Sequence, residues 1–131
     1  MTDVIKMVQG DTKPNLVVTL KEDSYDSLTK ATVSTPLNVA DATVLLKLKK
    51  GSVLVDTVSC VPIAGYEAQD GTISFVFPYN IPGAGGRVLV PWTSVSLSQY
   101  GNIDGEVEVQ YSDGTVQTVY DILKLKIRKQ F

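Results

Sequence analysis

The sequence predicts an all-β fold, a two-sheet antiparallel β-sandwich in a single domain spanning residues 1–131, with two long loops. Three observations predict it. The strongest is the stretch from Gly105 to Tyr120, where Val107, Val109 and Tyr111 alternate with Glu106, Glu108 and Gln110. A period of two puts the apolar side chains on one face of a strand and the polar ones on the other. Asp113-Gly114 follows and supplies the positive φ angles of a tight hairpin turn. A two-residue loop there sets Tyr111 opposite Val116, Val109 opposite Thr118 and Val107 opposite Tyr120. The second observation is that short alternating apolar runs recur along the chain, bounded by Gly, Pro and Asp. The third is that no stretch carries a long helical periodicity. Short strands with regular turn signals and no long helix imply a sandwich.

Taken in order, Val4 to Gln9 reads as a short strand that ends at a turn made by Gly10 and Asp11. Pro14 drives Lys13 toward extended geometry. Leu16, Val18 and Leu20 then form one face of a second strand. Lys21 to Val39 reads as the first long connection, with one short irregular strand at Ala31 to Ser34. Ala42 to Lys49 is a strand with Val44, Leu46 and Leu48 inward and Thr43, Lys47 and Lys49 outward. Lys50-Gly51-Ser52 turns the chain, and Val53 to Val61 returns. Asp70-Gly71 marks another turn, after which Ile73, Phe75 and Phe77 follow at spacing two and are expected as core anchors. Pro78 ends that strand.

Pro78 to Asn102 is the second long connection. Gly83-Ala84-Gly85-Gly86 is not followed by Lys-Ser or Lys-Thr, so it reads as a flexible turn and not as a phosphate cradle. Thr93 to Gln99 fits either a short helix or an extended segment. Val88, Leu89, Val90, Pro91 and Trp92 make an apolar cluster inside a segment rich in glycine and serine. With Tyr100 they are the candidate partner-binding surface, because long loops in compact domains are usually functional. Trp92 has two readings: an exposed anchor for another chain, or a cap folded back over one end of the core. Past the hairpin, Val116, Thr118 and Tyr120 fall at even positions and Leu123, Leu125 and Ile127 at odd ones. An uninterrupted strand would then bury Lys124 and Lys126, so a bulge is expected near Asp121-Ile122.

The totals exclude several function classes. With 131 residues, one domain buries an adequate core without disulfides or metals. The net charge of −2, with no basic run, argues against a nucleic-acid partner. The absence of histidine removes the commonest general base and metal ligand. Cys60 is the single cysteine, which rules out an intrachain disulfide and leaves a small buried or edge-strand residue as its role. No apolar run reaches membrane-spanning length and the N-terminus lacks signal-peptide features, so synthesis in a cytoplasm is expected. Glu106 and Glu108 share one strand face and read as its solvated side, not as paired catalytic carboxylates. Glu22, Asp23 and Asp26 lack the ligand spacing of a calcium loop. No serine or threonine has a histidine partner. The expectation is a protein that is no enzyme, with no cofactor, metal or small-molecule substrate.

Three stretches carry a resemblance: Val8-Gln9-Gly10-Asp11-Thr12-Lys13-Pro14-Asn15-Leu16, Ala42-Thr43-Val44-Leu45-Leu46-Lys47-Leu48-Lys49, and Gly105 through Thr118 with its Glu-Val-Glu-Val strand and Asp-Gly turn. In that order they resemble the immunoglobulin-like N-terminal domain of phage baseplate upper proteins. The resemblance implies an immunoglobulin-like sandwich and a structural component of a tailed-phage virion. Such a component is an adaptor in tail, baseplate or neck, made in the host cytoplasm and contacting other phage structural proteins in multiple copies. It implies no catalytic residues. A capsid decoration protein is the alternative within that class. A carbohydrate-binding module, with Trp92, Tyr100, Tyr79 and Tyr66 as candidate sugar contacts, is the alternative outside it.

Overall fold

The computed structural model describes residues 4–12, 15–93, 95–119 and 123–131. Twelve strands and no helix lie among them. Eight strands form one curled sheet: β1 (Val4–Val8), β2 (Leu16–Thr19), β5 (Thr43–Lys50), β6 (Val53–Pro62), β9 (Arg87–Val90), β10 (Gly101–Gln110), β11 (Val116–Thr118) and β12 (Leu123–Arg128). The order is β1-β12-β10-β5-β6-β9-β2, with β11 beside β10 as well. β1 runs parallel to β12, and the other pairings are antiparallel. The long strand β6 is the pivot. Val53 to Cys60 pairs with β5, and only Val61 and Pro62 pair with β9. The sheet curls past this point, so that β9 and β2 join the core packed on β5 and β10.

Period-two patterning decides the inside of that curl. On β10, Ile103, Val107 and Val109 are buried while Asn102 and Gln110 are exposed. Val44, Leu46 and Leu48 of β5, Val58 and Cys60 of β6, Val88 and Val90 of β9, and Leu125 and Ile127 of β12 join them in one cluster. Each such aliphatic side chain contributes about 1.5–3 kcal/mol when fully buried. Gly105 continues the inner row of β10 without a side chain. A Cβ there would come within 3.0 Å of Leu46 Cδ1, so the two β5 leucines fill the space.

The β10–β11 hairpin differs from the expected two-residue loop. Val109 pairs with Gln117 and Gln110 with Val116, so the loop is Ser112-Asp113-Gly114. Tyr111 N–H donates to the Thr115 carbonyl at 2.9 Å, and Gly114 N–H donates to the Tyr111 carbonyl at 3.0 Å. Gly114 has φ 90°, the left-handed residue that closes a three-residue hairpin loop. The slip of one residue reverses the faces of β11. Val116 is exposed, and Gln117 and Val119 turn partly inward. These are odd positions, as are Leu125 and Ile127, so the described residues on either side already agree in parity. The bulge expected at Asp121-Ile122, and the facing of Tyr120, lie outside the described residues.

Both predicted long loops contain strands. Lys21–Asp26 (β3) and Ala31–Pro36 (β4) form a two-stranded hairpin that pairs with no other strand among the described residues. Tyr66–Glu67 (β7) and Ile73–Ser74 (β8) form a second, minimal hairpin. The chain leaves strand geometry at Phe75, so Phe75 and Phe77 are not core anchors: they are 58% and 75% exposed. Residues 78–102 hold β9, a full member of the large sheet. Residues 95–97 form a turn, not a helix.

Candidate partner-binding surfaces

The strand pairings define two ends. One, the hairpin end, lies where β10 finishes at Gln110 and β5 begins at Thr43. The other lies where β10 begins at Gly101 and β5 finishes at Lys50. Trp92 follows β9 at this opposite end, which is the tryptophan end.

At the hairpin end the glycine turn knots the connections together. Leu20 N–H donates to the Gly86 carbonyl (2.7 Å), Leu37 N–H to Leu20 (2.9 Å), Val39 N–H to Gly83 (2.9 Å) and Gly83 N–H to Ile63 (2.9 Å). The four residues from Gly83 to Gly86 are buried. Gly86 has φ +79°, and a Cβ on it would strike the Leu20 carbonyl; a Cβ on Gly85 would strike the Gly65 carbonyl. The expected flexible turn is therefore a packed one in which backbones approach too closely for any side chain. The Arg87 guanidinium donates to the Ala64 carbonyl at 2.9 Å, and Tyr66 stacks on Tyr79 with ring centroids 4.8 Å apart. On this base Phe75, Val76, Phe77 and Ile81 stand exposed. A run of neighbouring exposed apolar residues is the kind of patch that marks an interaction site.

The tryptophan end is closed from within. Trp92 is 5% exposed and Leu97 wholly buried. Ser96 Oγ donates to Asp56 Oδ2 at 2.8 Å and contacts Thr93 Oγ1 at 3.1 Å. Gly10, with φ 81°, donates its N–H to the Leu97 carbonyl at 2.9 Å, while Asp11 N–H closes the turn on Val8 at 3.1 Å. Outside this plug Tyr100 stays 46% exposed. Its ring lies under Lys50 Nζ at 5.2 Å and Lys129 Nζ at 5.7 Å from the centroid. A groove of about 650 Å³ beside it is lined by Lys6, Val8, Lys126 and Arg128, with Met7 and Ile127.

The predicted partner-binding residues thus divide. Val88, Val90 and Trp92 are core side chains and are corrected as surface residues: β9 has strands on both edges, so its even positions face the core. Leu89 is half-buried, Pro91 exposed, and Tyr100 alone joins an exposed cluster. The exposed run from Phe75 was missed because its alternation matched a core strand. The four aromatics considered for sugar binding do not share a face. Trp92 is buried, Tyr66 and Tyr79 stack on one another at the hairpin end, and Tyr100 sits at the other.

Of the carboxylates weighed for chemistry, Glu108 is engaged otherwise. Glu108 meets Lys47 at 2.6 Å across the outer face, and the hydrogen bond from Lys47 holds its carboxyl below the ordinary range. Burial pushes the Cys60 thiol up to about 11, away from thiolate chemistry.

Compared with known families and proteins, the chain matches no family model, no curated protein and no solved structure.

Proposed function

We propose that the protein is a structural virion component of a tailed phage, an adaptor on an immunoglobulin-like sandwich whose hairpin end contacts another structural protein. The observation that carries the adaptor role is the exposed run Phe75-Val76-Phe77 with Ile81, beside the close-packed turn of Gly83 to Gly86. Support for the sandwich comes from strand order. β5-β10-β12 follow one another as strands C, F and G do in an immunoglobulin sheet, and β6-β9-β2 follow the order D, E, B of the opposing sheet. Support for the phage assignment is the ordered resemblance of the three sequence stretches.

Mass spectrometry of purified virions from the producing lysate tests the role: the protein is expected in the particle, and its absence would sink the reading. The double variant Phe75→Ser/Phe77→Ser tests the surface. It is expected to fold normally and to be depleted from particles. Normal incorporation would remove the hairpin end from the interface.

A further inference from the structure

The near-neutral total hides a strong separation of charge along the strand axis. At the hairpin end the exposed carboxylates are Glu22, Asp41, Glu67, Asp70 and Asp113, opposed by exposed Lys21 and Lys30. The arm strand β3 adds Asp23 and Asp26 to the sequence at this end. Arg87 is half-buried there and engaged with the Ala64 carbonyl. At the tryptophan end the exposed charges are Lys6, Lys49, Lys50, Lys126, Arg128 and Lys129. The acids near them are Asp11 and Asp56, both half-buried, and Asp104, which lies across the strand from Lys49; Asp56 is engaged by Ser96 and Thr57, and Asp104 by Lys124. Between the ends charge is locally neutralised, by Lys47 with Glu108 and by Lys124 with Asp104 at 3.0 Å.

The basic end is built unfavourably for an isolated molecule. Lys6 and Lys126 are direct cross-strand partners, with Arg128 two residues further on. Like charges directly opposite one another destabilise a sheet. No ion pair relieves Lys6, Lys126 or Arg128 among the described residues, whereas Lys124 on the same strand has Asp104. Both ends also expose apolar side chains: Phe75, Val76 and Phe77 at the acidic end, Val53, Leu54 and Tyr100 at the basic one.

We propose that the protein associates head to tail with copies of itself, the acidic hairpin end of one molecule seating on the basic groove around Tyr100 of the next. This names the partner of the surface described above and rests on reading that surface as an interface. The ten-residue β10 separates the ends by about 30 Å, so the two charge clusters do not neutralise each other within one molecule. A two-fold dimer through either end would bring like charges together. A head-to-tail contact brings opposite charges and apolar surface together at once. It is heterologous, leaves one free end of each kind, and so extends to a ring or a filament.

Sedimentation velocity with charge-reversed variants tests it. Wild type at about 20 mM salt, where screening is weak, is expected to sediment as dimers and larger species, and at about 500 mM as monomer. The variant Lys126→Glu/Arg128→Glu, whose basic end is neutralised, and the variant Glu22→Lys/Glu67→Lys, whose acidic end is neutralised, are each expected to be monomeric at low salt. Mixed together, they should form heterodimers through the one intact end that each retains. All four substituted positions are exposed, and circular dichroism checks that both variants fold. A wild type that stays monomeric at low salt overturns the proposal. So does association that neither variant changes, or a mixture that stays monomeric. If heparin or DNA binds the wild type and not the Lys126→Glu/Arg128→Glu variant while wild type alone is monomeric, the basic end serves a polyanion and the proposal is likewise overturned. The virion reading falls separately, by absence of the protein from particles, and self-association of the purified chain does not depend on that result.

Discussion

Residues 73–77, Ile-Ser-Phe-Val-Phe, and residues 87–92, Arg-Val-Leu-Val-Pro-Trp, have similar apolar patterns and opposite fates. The 73–77 stretch has the spacing of a core strand, yet its phenylalanines are exposed. The 87–92 stretch lies in what reads as a surface loop, yet it supplies Val88, Val90 and Trp92 to the core. The difference is in their neighbours. β9 has β6 on one edge and β2 on the other, so its backbone is fixed in the large sheet and its even side chains point at a defined interior. β8 has only the two residues of β7, and beyond Ser74 no strand fixes an inside for Phe75 and Phe77. Alternation tells which residues share a face. Whether that face meets a core depends on strands distant in sequence.

The largest expected effect tests that contrast directly. Trp92→Ala should lower unfolding free energy by about 3–5 kcal/mol, because a large buried side chain leaves a cavity. Phe77→Ala should change it by less than about 0.5 kcal/mol, as for a surface position. Urea denaturation of both variants measures the pair. Equal losses would mean that Phe77 is as structural as Trp92, and the contrast would collapse.

The turn between the two stretches accounts for much of what was not legible. Gly83-Ala84-Gly85-Gly86 has the composition of a loose loop, and that composition hid the strand beginning at Arg87. The same glycines are required by close packing: Gly86 lies against the Leu20 carbonyl at positive φ. Composition does not distinguish a glycine that is free to move from one that has no room for a side chain. The expected effect of Gly86→Ala is a loss of roughly 1–3 kcal/mol, since it combines an unfavourable φ with a backbone collision. A thermal melt that matches wild type would show that the turn gives way, and would return residues 83–86 to the loose loop first expected.

Elsewhere the sequence was more readable. The strands at Val4, Leu16, Thr43, Val53 and Leu123 and the part of β10 from Gly105 on follow from local alternation, and the inward faces of β5, β10 and β12 match that pattern. The hairpin register did not follow, because Asp-Gly serves both two- and three-residue loops. The assumed loop then produced an apparent parity conflict that the true pairing of Val109 with Gln117 removes. At the candidate surface, Tyr100 was found by type. The Phe75 run and the polar separation of charge depend on which strands end together, and that is set by pairing, not by local sequence.

The chain contains the same turn twice, which sharpens the contrast between a hairpin inside the large sheet and one outside it. Asp70-Gly71-Thr72 and Asp113-Gly114-Thr115 both close three-residue loops, with φ 88° at Gly71 and 90° at Gly114. A Cβ on either glycine meets open space, so a substitution there tests conformation alone. Gly114→Val should cost about 1 kcal/mol or more, because β11 belongs to the cooperative sheet. Gly71→Val should cost less globally, because β7–β8 can open without the core. Hydrogen exchange separates the two outcomes. Equal slowing or equal loss of protection in β10 for both variants would show that the outer hairpin is coupled to the core.

The smallest effect concerns the carboxylates of these turns. Asp113 Oδ1 accepts from Thr115 N at 2.9 Å and Thr115 Oγ1 at 2.6 Å, and Asp70 accepts from Thr72 N at 3.0 Å and Oγ1 at 2.7 Å. These hydrogen bonds, the hydroxyl foremost, hold both carboxyls below their ordinary value of 3.8. A group whose folded pKa is depressed stabilises the fold at pH values above its unfolded pKa, and that contribution is lost as pH falls through the folded pKa. Both turns should therefore weaken in the acid range below about 4. Asp113→Asn keeps a side-chain oxygen for Thr115 and removes the titration, so it should lose at neutral pH the small contribution that the wild type loses only in acid, and flatten the acid limb of a stability-versus-pH curve. Asp70→Asn should flatten the acid limb less in a global melt, because its hairpin lies outside the cooperative sheet, and equally in a local probe of β7–β8. An acid limb that Asp113→Asn leaves as steep as wild type would show that the turn carboxylate takes no part in acid unfolding, and that the two hairpins differ in pairing alone.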